Sequence, residues 1–257
     1  MDFHDLTLGL LIGFIGGGAS GLMGVSSGGF LVALSAIFLG VEQHVAQGIS
    51  LVAQVPPTSL SGVLHYRRSG HDVPLRWVVL LSLGFVIGGI AGALGAGAVP
   101  GPVLRWLFVA YLVVLGTLAA LHPERDVPAE ASPPATLGIA APIGTGIVSG
   151  LSSGLLGIGG GLAITALLGA GMKVPQHQAQ ALGLAITTLP LTLPSAWVYA
   201  EQSRALPWWT IAGVIVGLWI GTLAGARFAN LMSARLLRRL MVAFTWLVAA
   251  FMAWRAW

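Results

Sequence analysis

Gly21-Leu22-Met23-Gly24-Val25-Ser26-Ser27-Gly28-Gly29 cuts an otherwise continuous apolar run. Gly154-Leu155-Leu156-Gly157-Ile158-Gly159-Gly160-Gly161-Leu162 cuts a second run 133 residues later. The register between the two copies holds without a gap for about a hundred residues. It pairs Gln43-His44 with Gln176-His177, Gln47 with Gln180, Pro57 with Pro190, Tyr66 with Tyr199, and Pro74 with Pro207. It also pairs Gly84, Gly88 and Gly92 with Gly217, Gly221 and Gly225. Self-similarity at a fixed offset marks a duplicated structural unit, and two copies of an apolar unit are the plan of a two-repeat membrane core.

Composition places both copies in a bilayer. The chain is 56% hydrophobic and 8% charged, with a mean hydropathy of +0.90. Soluble domains carry roughly 25% charged residues. Apolar runs at 6–23, 45–64, 77–99, 103–121, 137–156, 179–198, 208–226 and 240–254 reach or approach the ~20 residues of a spanning helix. They lack the alternation of a barrel strand. The 37 glycines would cost a soluble helix about 1 kcal/mol each, whereas in lipid they let helices approach closely. The glycines at four-residue spacing in 84–92 and 217–225 are therefore assigned to helix packing. The chain has no cysteine, which removes disulfides and thiolate metal sites. Met1-Asp2-Phe3-His4-Asp5 lacks a basic leader region, so the first apolar run is expected to stay as a membrane segment. A pI near 10.3 reflects scattered loop arginines rather than a nucleic-acid surface.

The expected fold is an all-α polytopic membrane protein with two inverted-topology repeats of about five helical segments each. The first two segments of each repeat form a broken, hairpin-like pair at the Gly-rich motif. Residues 1–121 make the first repeat, the Pro-rich, charged stretch 122–135 a cytoplasmic linker, and 136–257 the second repeat. Pro56-Pro57 is expected to break one helix, and Pro190 and Pro194 its counterpart. If each broken pair returns to the side it came from, nine of the twelve Lys and Arg fall on one side; if it crosses, the split is six and six. The positive-inside rule favours nine to three. Both termini then lie outside the cytoplasm, and the three net passes per repeat invert the second copy.

Unwound backbone at membrane depth survives where it is buried in protein or lines a cavity. The helix that restarts after it presents unpaired amides and the positive end of its dipole, a ready anion site. Ser26, Ser27, Gly28 and Gly29 in the first copy, and Gly159, Gly160 and Gly161 in the second, are the candidate substrate-binding residues, with Gln47, Gln54, Gln180 and Thr187 completing the shell. The competing reading is that the glycines serve only a tight hairpin and the amides only bond neighbouring helices. His44 and His177 are taken as helix-start caps, and Tyr66, Tyr199 and most tryptophans as interfacial belt residues. All eight carboxylates fall at termini or loops, where they cannot serve an intramembrane proton relay or cation site. No base is placed to activate a serine, so the expectation is a non-enzyme with no metal and no cofactor.

Gly21–Val32 and its second copy resemble the twin glycine motifs of the TauE/SafE sulfite-exporter family. The resemblance continues through Ala46-Gln47, Ser59-Leu60-Ser61-Gly62, His65-Tyr66-Arg67-Arg68 and 84–92, and so covers nearly the whole chain. It implies a bacterial inner-membrane transporter, an exporter of small sulfur-containing anions such as sulfite or organosulfonates. Its partners would be that anion and the lipid bilayer, with no nucleic acid and with homo-oligomerisation left open. The first copy departs from the family pattern, with Ser26-Ser27 where glycines are usual, and the added hydroxyls change pocket size and donor count. Two alternatives stand beside this: import of another small solute on the same scaffold, and a non-transporting membrane partner of sulfur metabolism.

Overall fold

The computed structural model describes residues 3–23, 26–57, 74–121, 138–168, 172, 174, 176–202, 206–229, 232 and 234–254. These form α1 (Phe3–Met23), α2 (Gly28–Phe38), α3 (Gln43–Ala53), α4 (Leu75–Ala98), α5 (Gly101–Leu121), α6 (Ala140–Leu156), α7 (Gly161–Ala166), α8 (Gln176–Thr188), α9 (Leu193–Gln202), α10 (Trp208–Ala229) and α11 (Ala234–Trp254). Every described element is helical. Pro56-Pro57, the expected break, follows the end of α3 at Ala53, and residues 58–73, with Tyr66 among them, lie outside the described residues, as does the 122–135 linker.

Prolines set several of the helix boundaries. α4 runs 24 residues between Pro74, its N-cap, and Val99, its C-cap before Pro100, because proline tolerates a first turn but cannot donate within a helix. α10 begins directly after Pro207. Pro190 ends α8, Pro194 fits the first turn of α9, and the two helices meet at 52°. Among the described residues, three helices are long and apolar enough to cross a bilayer, His4–Leu22, Leu75–Ala98 and Trp208–Phe228, or four if the bent α8–α9 pair counts as one span. Large apolar side chains such as Leu11, Phe14, Leu83, Ile87, Trp197 and Leu247 are exposed on the outside, as a lipid-facing surface requires.

Glycines determine how these helices pack. α1 lies along α10 and α4 along α6 with the backbones in contact. A Cβ at Gly13 would strike the Val214 carbonyl, at Gly17 that of Leu218, and at Gly21 that of Thr222. From the other side, Gly217 meets the Leu10 carbonyl, Gly221 that of Phe14 and Gly225 that of Gly18. The α4–α6 pair repeats the pattern at the same offset: Gly146, Gly150 and Gly154 against the carbonyls of Leu81, Phe85 and Gly89, and Gly84, Gly88 and Gly92 against those of Ile143, Ile147 and Leu151. Each half therefore lends its first helix to a long helix of the other. The apolar cores are shared as well, since Ile12, Leu31, Ile49 and Ala53 pack with Ile211, Val214 and Leu218. α5 lies against α11. The shorter helices α2, α3, α7, α8 and α9 pack among these pairs and carry the breaks.

Candidate functional site

The second break is made by backbone geometry. Gly157 caps α6 in the left-handed region at φ 70°, its amide donating to the Ser153 carbonyl at 2.7 Å. Gly159 is left-handed again at φ 65°. Two such residues within three positions unwind the chain, and the left-handed region suits glycine because a Cβ there crowds the next carbonyl. The chain becomes helical again at Gly161. In the first break Gly24 and Val25 lie outside the described residues, and helix resumes at Gly28 behind Ser27, which makes no side-chain cap.

The two breaks meet. Ser26 Oγ is 3.2 Å from the Ile158 carbonyl and 3.2 Å from Gln54 Oε1. A Cβ on Gly28 would collide with that same Ile158 carbonyl. Ser50, fully buried, ties both breaks to α3: its Oγ is 2.7 Å from the Gly157 carbonyl and 3.1 Å from that of Gly28. It also accepts from Gln54 Nε2 at 3.0 Å, while the same Nε2 donates to the Ser50 carbonyl at 3.0 Å. The amide nitrogen is thus committed to the protein, and Gln54 turns its oxygen toward Ser26 and Gly159.

A small cavity opens between the breaks. Its walls include Ser26 and Ser27 from the first break, Gly159 and Gly160 from the second, Gln54 after α3 and Thr187 at the end of α8. These six positions are related by the 133-residue register: Ser26 with Gly159, Ser27 with Gly160, Gln54 with Thr187. Ser20 of α1, Phe85 of α4, Thr222 of α10 and Thr192 in the α8–α9 bend complete the polar and aromatic walls, and Ile186, Leu189 and Leu191 the aliphatic one. The space measures about 30 Å³, enough for a few heavy atoms or one to two waters. The hydroxyls of Thr192 and Thr222 are buried without a hydrogen-bond partner among the described residues. A buried hydroxyl left unpaired costs about 1–3 kcal/mol. These two belong to the cavity wall, where a small polar ligand would supply the missing partner.

The remaining candidates sit behind this wall. Gly28 forms the backbone crossing with Ile158, Gly29 faces Leu112 and Ile158, and Gly161 packs against Thr187 and Ser26. Gln47 does not line the cavity: it is fully buried, and its Oε1 accepts from Tyr199 OH at 2.9 Å. Gln180 falls in α8, with its side chain outside the described set. Tyr199 corrects an expectation. It is fully buried rather than interfacial, and its hydroxyl lies 3.0 Å from the Gly154 carbonyl as well as bonding Gln47. α9 packs against α3 and α4, so its tyrosine enters the core. His44 bonds the Ala96 carbonyl at 3.0 Å, tying the start of α3 to the end of α4.

A family model described as sulfite exporter TauE/SafE matches residues 8–252. A Bacillus subtilis (strain 168) protein named probable membrane transporter protein YdhB is 27% identical over 238 residues, covering 88% of this chain and 87% of its own. A Xylella fastidiosa (strain 9a5c) protein named probable membrane transporter protein is 30% identical over 272 residues, covering 100% of this chain and 98% of its own. No solved structure matches the chain.

Proposed function

The chain belongs to the sulfite exporter TauE/SafE family of membrane transporters, and from that premise we propose that it exports small sulfur-containing anions such as sulfite or organosulfonates. The observation that carries this reading is the cavity where Ser26-Ser27 and Gly159-Gly160 converge with Gln54 and Thr187, beside the unpartnered hydroxyls of Thr192 and Thr222. Hydroxyls and backbone amides hold an oxyanion by hydrogen bonds without a fixed cation. The direct contacts fall to Ser26, Ser27, Gly159, Gly160, Gln54 and Thr187. Gly28 lets the two breaks cross closely enough to form the site, with Gly29 and Gly161 packed beside it, while Gln47, through Tyr199, supports it from behind; Gln180 is proposed to complete the shell from α8.

The proposed setting is a bacterial inner membrane, with the site near the midplane and the halves 1–121 and 136–257 inverted about it, joined by a cytoplasmic linker at 122–135. Support comes from the nine-to-three division of Lys and Arg and from the exchange of first helices between halves at a constant offset. Both termini then lie on the non-cytoplasmic side. Proteins built this way move substrate by rocking one repeat against the other around a fixed site.

Thermal unfolding of the purified protein with sulfite, thiosulfate, a short sulfonate, sulfate and chloride tests the assignment. A ligand at 100 times its Kd stabilises the native state by about 2.7 kcal/mol. Selective stabilisation by a sulfur oxyanion is the expected result, and no response to any sulfur anion would overturn the assignment.

A further inference from the structure

We infer that the cavity selects its oxyanion by charge state: it takes the singly charged form, and for a diprotic acid such as sulfurous acid it takes the monoanion that still carries a hydrogen. The inference rests on the sulfur-oxyanion reading above and adds which ionic species is bound.

The first ground is the charge of the walls. Every described side chain lining the cavity is neutral: five hydroxyl residues besides Ser26, the Gln54 amide, and apolar Phe85, Ile186, Leu189 and Leu191. The titratable side chains described on the surrounding elements lie away from it. α1 carries His4 and Asp5 at its far end, and α3 carries His44, bonded to Ala96. α4 carries Arg76 at its start, α9 carries the exposed Glu201 at its end, and α10 carries Arg227, which is exposed beyond Thr222. The cost of moving an ion out of water grows with the square of its charge, and attraction to a fixed counter-charge is what normally offsets it. Dipoles alone offset a monoanion far more readily than a dianion.

The second ground is the hydrogen-bond inventory. Ser26 Oγ has one proton and two acceptors at 3.2 Å, Gln54 Oε1 and the Ile158 carbonyl. Whichever one it serves, the other is left without that donor. Gln54 cannot turn its nitrogen to help, because Nε2 is held by the Ser50 carbonyl and Oγ. Of the two, Gln54 lines the cavity, so with the Ser26 proton on the Ile158 carbonyl the cavity presents the Gln54 oxygen as an acceptor beside its hydroxyl donors. A dianion brings only lone pairs to that acceptor, whereas a hydrogen-bearing monoanion brings the missing donor.

The test is a pH series on the full-length purified protein, with sulfite, methanesulfonate and sulfate titrated separately from about pH 6 to about pH 9. Methanesulfonate stays a monoanion throughout and reports any titration of the protein itself. Sulfate stays a dianion. Relative to methanesulfonate, the apparent affinity for total sulfite is expected to fall about tenfold per pH unit above the second ionisation of sulfurous acid, and sulfate is expected not to compete. A sulfite affinity that stays flat or rises with pH against the methanesulfonate reference overturns charge-state selection, as does sulfate binding as tightly as methanesulfonate. Failure of all three anions to bind at any pH instead overturns the sulfur-oxyanion reading beneath it. Gln54→Met, which keeps the bulk and removes the acceptor, is expected to reduce the preference for sulfite over methanesulfonate at low pH. An unchanged preference in a variant that still binds methanesulfonate overturns the role of Gln54.

Discussion

Alanine at Gly88 places a methyl group against the Ile147 carbonyl oxygen, in the middle of the α4–α6 contact. Gly95, seven residues further along the same helix, has open space where its Cβ would stand. Intrinsic propensity favours alanine over glycine by up to about 1 kcal/mol at either position, so Gly95→Ala is expected to be neutral or slightly stabilising. At Gly88 the two backbones must separate, and overpacking of this kind costs about 1–3 kcal/mol. The separation also loosens the adjoining contacts of Gly84, Gly92, Gly150 and Gly154, which rely on the same interaxial distance. A net loss near the top of that range, about 2 kcal/mol after the propensity gain, corresponds to a Tm lower by roughly 4–8 °C for a chain of this length. Thermal unfolding in detergent, followed through the nine tryptophans, measures it. The register makes a second demand: Gly221→Ala, 133 residues on and facing the Phe14 carbonyl, should lose a similar amount. A Gly88→Ala variant as stable as Gly95→Ala would refute the packing explanation for the glycines, and a harmless Gly221→Ala would refute the equivalence of the two pairs.

Three further outcomes follow from the site. Thr192→Val and Thr222→Val remove buried hydroxyls that have no described protein partner, so stability without anion should hold or rise, by up to about 1–3 kcal/mol each, while anion-induced stabilisation in the thermal assay drops. Ser50→Ala deprives the Gly157 and Gly28 carbonyls of their shared donor and should cost about 1–3 kcal/mol in the same melting experiment. Tyr199→Phe removes the hydroxyl whose one proton serves Gln47 Oε1 or the Gly154 carbonyl, with a comparable expected loss; an unchanged Tm would mean that this bond contributes nothing net.

The parts of this structure visible in the sequence are those written in spacing. The glycine periodicity, the Gly-rich break at Gly157–Gly161 and the boundary prolines Pro74 and Pro207 repeat at one offset, and each has a backbone cause that a sequence displays; which helix of one half lies along which of the other is not displayed there. Ser50 could not be found that way because its counterpart is Gly183: the residue that staples the breaks has no duplicate. Its one signal is a position four residues before Gln54, the helical spacing for side-chain contact. Tyr199 misled for a different reason. A tyrosine near the end of an apolar run reads as interfacial, and only the packing of α9 on α3 and α4 turns it inward. Ser20, Thr192 and Thr222 were equally silent, since a hydroxyl in an apolar helix bonds its own backbone as readily as it lines a cavity.

The central claim is that the two glycine breaks together form a sulfur-oxyanion transport site, and flux measures it most directly. Proteoliposomes loaded with sulfite or a short sulfonate are compared for the natural chain and for Ser26→Ala/Ser27→Ala and Gly160→Val variants, the last directed into the ring of Phe85. Saturable efflux by the natural chain, reduced about tenfold or more in correctly inserted variants, is the expected result; a tenfold loss corresponds to about 1.4 kcal/mol. Flux no greater than that of empty liposomes, or flux that both variants leave untouched, would contradict it.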